Sequence, residues 1–262
     1  MGLRSSKGPI VVTVSPTQRG FDLQSDSSIP SDARKSVRRM FRSDQDLSGF
    51  YRYAVKAGRP WIRTGRMGRL LRSQTVFEDL VKLILTTNCS WSFTRIMTDA
   101  LAKELGEDLG DGLHLFPNAE ALASKNETFF RTKIRSGYRS THLPTLAHSV
   151  LERRIDPEGW DDPSRPIEEI RREILSVPGA GPYVAENLLR LLGRYENLGL
   201  DSWARGKLKE LWKMKKIPSD RTIERKYRPH GSYRGLILWC DLTRDWFVAG
   251  ALDDWIRRAD RV

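Results

Sequence analysis

The sequence predicts a mainly α-helical protein with a small β-containing segment at its N-terminus. Three observations carry that reading. β-branched residues cluster at Ile10-Val11-Val12-Thr13-Val14, just ahead of Pro16. From residue 33 onward, apolar residues recur at helical spacing. Two such stretches are joined by Val177-Pro178-Gly179-Ala180-Gly181, a tight turn followed by Pro182 at a favourable first helical position.

Residues 9–23 read as one or two short strands, and residues 25–33 as a Ser/Asp/Pro-rich loop. Ser31-Asp32 can cap a helix from Ala33 to about Phe41. A helix over residues 46–56 is followed by a basic loop, 58–72. Residues 75–87 carry a wide apolar stripe (Val76, Phe77, Leu80, Val81, Leu83, Ile84, Leu85), as a centrally buried helix does. Residues 91–105 are amphipathic through Trp91, Ile96, Met97, Ala100, Leu101 and Leu105. Shorter helices are expected at 118–124 and 142–154, and a surface linker at 156–166. Helices over 167–176, from 182 to about 193, over 202–212 and over 233–247 complete the chain, and no internal repeat is evident. The expected organisation is an N-terminal segment (1–65), a helical core (66–212) and a C-terminal helical segment (213–262).

The 262 residues carry 45 Lys and Arg against 33 Asp and Glu, a formal charge of +12. Such an excess suits a polyanionic partner, although a solvated basic surface has the same composition. The longest apolar run is far short of a membrane span, and no apolar segment follows the first basic residues as a secretory leader requires. Cys89 and Cys240 are too few for a four-cysteine iron–sulfur or zinc site, and the four His residues are scattered. Two reduced thiols fit a cytosolic or nuclear protein. The Met1-Gly2…Ser6 match to a myristoylation pattern and the sequons at Asn88 and Asn126 read as chance.

The most informative stretch is Ile174 to Leu208. Physically it is helix, glycine-bearing hairpin, helix, short loop, then Asp201 at a helix start. Gly179 and Gly181 are expected to give the backbone positive φ and close approach. The N–H groups at the start of the Pro182 helix, with its dipole, form an anion site suited to a DNA phosphate. An ordinary αα-hairpin whose glycines serve packing would look the same.

Val177–Ala185 resembles the helix-hairpin-helix signature of base-excision DNA glycosylases, L-P-G-V-G-x-x-x-A. Asp201, in Leu198-Gly199-Leu200-Asp201-Ser202, stands where that superfamily places its essential aspartate. Leu85-Thr86-Thr87-Asn88 resembles the family stretch that inserts a polar side chain into the DNA gap. Gly137-Tyr138-Arg139 resembles the G-Y-R segment of 8-oxoguanine glycosylases. The pattern is nearest to the 8-oxoguanine and 3-methyladenine type II enzymes and covers roughly residues 70–212. It implies two helical subdomains with a cleft between them, and a monomer acting on double-stranded DNA that contains a damaged base.

The resemblance also implies roles. Asp201 would stabilise positive charge on the deoxyribose and orient a water. Val177, Gly179, Gly181 and Pro182 would hold phosphate. Asn88, Tyr138 and Arg139 would fill the gap left by an extruded base. Trp239 and Trp246, on the aromatic C-terminal helix, are base-pocket candidates, although a large aromatic on a helix is more often a plain core residue. Tyr183 occupies the place of the lysine that bifunctional members use, and tyrosine forms no Schiff base. Lys82 interrupts an apolar helix, as a snorkelling surface lysine or as an alternative amine. No organic cofactor or iron–sulfur cluster is implied, while hairpin carbonyls in the superfamily can hold Na+ or K+. The competing readings are a bifunctional glycosylase/lyase using a lysine amine, and a non-catalytic hairpin protein that grips DNA.

Overall fold

A computed structural model describes residues 1–17 and 20–248. The last part of the expected C-terminal segment, 249–262, lies outside the described residues. By packing, the chain falls into two units. One comprises residues 1–44 and 70–192, and the other residues 45–69 and 193–262. Both are discontinuous in sequence, so they cut across the three consecutive stretches expected above.

The first unit opens with four short strands rather than one or two. Gly2–Ser5 pairs antiparallel with Gly8–Val11, and Thr13–Thr17 with Gly20–Gln24. Leu3, Ile10 and Val12 bury one face against Ala33 and Val37 of the Ser31–Phe41 helix. That helix is not capped by Ser31-Asp32. Pro30 stands at its N-cap, and the Asp32 carboxylate accepts instead from the Ser6 backbone N–H (2.5 Å).

The helical core of this unit is built on Val76–Thr86, capped by Thr75, whose hydroxyl accepts from Glu78 N–H (3.1 Å). Its stripe meets Met97 and Leu101 of Trp91–Leu105, Leu143 and Leu146 of His142–Leu151, Ile170 and Ile174 of Ile167–Ser176, and Val184 and Leu188 of Pro182–Leu191. Trp91 and Ile96, expected on the apolar face, are exposed. A helix at Glu127–Thr132, capped by Asn126, was not anticipated. Nor is 156–166 a plain surface linker. It contains a 3-10 turn, Glu158–Asp161, that buries Trp160. Glu158 then caps the central helix, its carboxylate accepting from Val76 and Phe77 N–H (3.1 and 3.0 Å).

The second unit contains Ser48–Lys56, Pro60–Thr64 (inside the expected basic loop), Ser202–Leu211, Asp220–Tyr227, Arg234–Leu242 and Arg244–Val248. The expected helix over 233–247 is broken at Thr243, whose hydroxyl donates to the Trp239 carbonyl (2.8 Å). Arg234–Leu242 lies so close to the 195–197 loop that a Cβ on Gly235 would sit 2.1 Å from the Asn197 carbonyl oxygen. Arg59 grips Asp241 through two 2.8 Å bonds, and Tyr227 donates to the same carboxylate (3.0 Å). Burial raises the pKa of the Tyr227 hydroxyl and of the neighbouring Cys240 thiol, so both stay protonated.

Asp79 gives a pH test of the core. Its Oδ1 accepts from Ser73 N–H (2.8 Å), and its Oδ2 is buried without a hydrogen-bond partner among the described residues. Burial raises its pKa above the usual carboxylate value. A raised folded-state pKa adds stability below the unfolded value that is lost as pH rises through the folded one. Asp79→Asn keeps the acceptor and removes the charge. Thermal melts should show the variant gaining on wild type as pH rises from about 4, near the unfolded carboxylate value, towards neutrality. A difference constant with pH would refute this assignment.

Candidate nucleic-acid interface and catalytic carboxylate

In the first unit, the hairpin joins Ile167–Ser176 to Pro182–Leu191. Gly179 has φ +85°, and a Cβ there would lie 2.9 Å from the His142 ring, so both conformation and space demand glycine. Gly181 departs from expectation. Its φ is −91°, which any residue can adopt, and a Cβ there would meet nothing within 4 Å. What Gly181 supplies is openness, since it is the N-cap of a helix that no side chain caps. Pro182 follows at the first position, and Val184 N–H has no hydrogen-bond partner among the described residues. The turn is closed by Ala180 N–H donating to the Val177 carbonyl (3.0 Å). Among the described residues no group of three His, Cys, Asp or Glu could hold a metal ion.

Asn88, Thr87 and Tyr138 come together from two separate turns of this unit. Asn88 ends the central helix in the left-handed region (φ +48°) and is exposed. Its Nδ2 donates to the Tyr138 hydroxyl (3.3 Å), which also lies 2.7 Å from the Thr87 hydroxyl. Tyr138 is 50% exposed. Arg139, expected at the gap beside it, is 3% exposed and built into the fold. Its Nε donates to the Ile84 carbonyl (3.1 Å) and to Thr87 Oγ1 (3.2 Å), and its guanidinium lies 4.5 Å from the Tyr138 ring centroid. It clasps the end of the central helix to the Gly137–Ser140 turn and carries Tyr138 on its face.

The two alternative nucleophile positions are occupied in other ways. Lys82 Nζ donates to Glu78 Oε1 (2.6 Å) and Ser73 Oγ (3.2 Å) and lies 5.3 Å from the Phe116 ring centroid. Tyr183 is half-buried against the main core.

In the second unit, Asp201 is the N-cap of Ser202–Leu211. Its Oδ1 accepts from Ala204 N–H (2.6 Å). Its Oδ2 has no hydrogen-bond partner among the described residues. Ala204 and Leu208 anchor the helix by burial, so the carboxylate rides on a packed element. Trp203, which the sequence reading passed over, is 43% exposed two residues after Asp201. It forms a cluster with the two anticipated tryptophans. Ring centroids are 6.4 Å apart to Trp239, 6.0 Å to Trp246, and 6.2 Å between those two. The break at Thr243 is what lets Trp246 turn back to this cluster. Its only sequence signal was the position of Trp203 beside the aspartate.

No protein-family model matches the chain. A Bacillus subtilis protein provisionally named DNA-3-methyladenine glycosylase is 21% identical over 211 residues, which span 78% of this chain and 72% of the relative. Among solved structures, the 8-oxoguanine glycosylase/lyase of Clostridium acetobutylicum, in complex with duplex DNA carrying cytosine opposite 8-oxoguanine, has a TM-score of 0.71 at 19% identity. That match covers 93% of this chain and 87% of that one. The 3-methyladenine DNA-glycosylase of Archaeoglobus fulgidus also has a TM-score of 0.71 at 19% identity, covering 94% and 87%. These neighbours are DNA glycosylases of the helix-hairpin-helix type, and this chain shares their mainly helical fold.

Two substitutions separate structural from exposed roles. Gly179→Ala should cost about 1–3 kcal/mol in chemical denaturation, from its backbone region and the His142 contact, whereas Gly181→Ala should leave stability within about 0.5 kcal/mol. Arg139→Ala should cost about 2 kcal/mol or more, because it deletes a buried side chain together with its hydrogen bonds to the Ile84 carbonyl and Thr87 Oγ1, although that carbonyl keeps Thr87 as a donor. An unchanged melting temperature for Arg139→Ala would show that the side chain is not the clasp described.

Proposed function

We propose that this chain is a DNA N-glycosylase that flips a damaged purine out of duplex DNA and hydrolyses its glycosidic bond, with Asp201 as the catalytic carboxylate. The reading rests chiefly on one observation. Asp201 spends one oxygen on its own helix, and its other oxygen has no hydrogen-bond partner among the described residues. The first contact fixes the orientation of the second oxygen, as electrostatic catalysis requires.

As the bond between base and C1′ breaks, the base leaves with the electron pair and positive charge grows on the deoxyribose. The Asp201 carboxylate stabilises that charge and orients a water, which attacks C1′ and gives up its proton to the carboxylate or to solvent. The positive end of the Ser202–Leu211 dipole lies at this carboxylate. The Gly179–Pro182 turn takes a phosphate on its open helix N-terminus. Asn88 and Tyr138 fill the gap left in the stack, with Arg139 holding them in place.

Two features support finer assignments. Tyr183 stands at the position of the bifunctional lysine, and the Lys82 amine is tied to Glu78, so hydrolysis in a single step without a lyase reaction follows. The indoles of Trp203, Trp239 and Trp246 offer electron-rich faces, and a purine alkylated on a ring nitrogen carries positive charge. That pairing favours an alkylated over an oxidised purine, and the name of the Bacillus relative agrees.

Asp201→Asn retains an N-cap and so should fold. It should bind lesion duplex as wild type does, yet lose about 10²–10³-fold or more in single-turnover excision of 3-methyladenine or 7-methylguanine. Borohydride should trap no covalent adduct with wild type. Excision by Asp201→Asn at the wild-type rate would remove Asp201 from the chemistry, absence of excision by wild type would end the enzymatic reading, and a trapped adduct would assign the chemistry to an amine.

A further inference from the structure

Residues 207–228 hold nine Lys and Arg against three Asp and Glu, a net +6 that is half the +12 of the whole chain. The acids are already engaged. Asp220 pairs with Arg205 (2.7 Å), Glu224 with Arg234 (3.2 Å), and Glu210 faces Lys207 at 4.0 Å. Lys213, Lys215, Lys216, Arg221 and Arg225 are exposed, and none has an ion pair among the described residues. Beside them a shallow groove is lined by Trp212, Met214, Thr222, Arg225, Lys226 and Pro229. The Lys226 ammonium lies 4.1 Å from the Trp212 ring centroid.

The position of this surface follows from one helix. Asp201 caps the N-terminus of Ser202–Leu211, and the basic segment continues past its C-terminus. Ten residues at about 1.5 Å each separate the two ends by about 15 Å. That is about four to five base-pair steps of duplex, over which DNA is stiff. A duplex engaged at Asp201 therefore has phosphates at the range of this surface. The charge complementarity favours DNA over a protein partner, because the exposed large apolar side chains of this segment are the aliphatic Leu211, Met214 and Ile217, without the exposed aromatic anchors a protein interface uses.

We propose that residues 207–228 form a second, sequence-independent contact surface for the phosphates of the DNA duplex flanking the site served by Asp201. The choice of duplex DNA as occupant rests on the glycosylase reading; the surface itself does not. Each phosphate contact releases condensed counterions, so the surface contributes to the salt dependence of binding rather than to recognition of a base.

The test is equilibrium binding of an undamaged 30-base-pair duplex, and of a single strand of equal length, across a salt series. Wild type is compared with Lys213→Gln/Lys215→Gln/Lys216→Gln and, independently, with Arg221→Gln/Arg225→Gln. All of these residues are exposed, and circular dichroism checks the fold. The triple variant should lower the log–log salt slope for duplex by about 2–3 and weaken binding about tenfold or more at low salt. The double variant should show a proportionate loss. Unchanged slope and affinity in both variants overturn the proposal, as does a loss confined to the single strand. Excision of a lesion by wild type is scored separately, so failure of the glycosylase reading leaves a different signature from failure of this surface.

Discussion

The hydrogen bond from Ala204 N–H to Asp201 is the contact on which the rest depends, because it fixes the carboxylate proposed to act on the sugar. As an N-cap it satisfies an orphan donor and starts Ser202–Leu211. By doing so it fixes where its other oxygen points. A carboxylate on a loop would have to be ordered at the moment of reaction, whereas this one is ordered by folding. The second unit then holds that helix in place. Ala204 and Leu208 are buried, Arg234–Leu242 approaches closely enough to require Gly235, and Arg59 and Tyr227 converge on Asp241. Stability of the unit and the orientation of this carboxylate are thus one property.

The first unit applies the same economy to its exposed turns. The Gly179 turn is locked by its backbone region and by the His142 ring, leaving the helix N-terminus beyond it open. The Asn88–Tyr138 pair is exposed, but the arginine beneath it is buried and bonded to the Ile84 carbonyl. In both places the groups offered to solvent are few, and the groups that aim them are interior.

Much of this was legible in the sequence, and the failures have physical causes. Trp91–Leu105 and Ile167–Ser176 were readable to the residue, because each combines helical periodicity with a clear start, Ser90 in one case and Pro166 in the other. Glu127–Thr132 is too short for periodicity to register, and its one signal, the Asn126 cap, looked like a sequon. Asp220–Tyr227 was missed because a polar, basic stretch with Ser219 ahead of it resembles a loop until its cap is seen. Trp160 sits in a Pro/Asp/Gly-rich stretch that composition assigns to the surface, yet it is buried. At the site, Asp201 and the hairpin were found by spacing. The burial of Arg139 was not, since a G-Y-R segment does not say which of its two large side chains faces solvent. Trp203 was passed over because its partners lie 36 and 43 residues away in sequence, where no local pattern connects them.

The central proposal is that the second carboxylate oxygen of residue 201 faces the sugar of an extruded nucleotide. A crystal structure of Asp201→Asn bound to a duplex carrying an alkylated purine measures this directly. The account predicts the residue 201 side chain within about 3.5 Å of C1′ or of a water poised to attack it, with the amide oxygen still accepting from Ala204 N–H. A flipped nucleotide lodged elsewhere, or a residue 201 side chain turned away from every sugar in the complex, would contradict it.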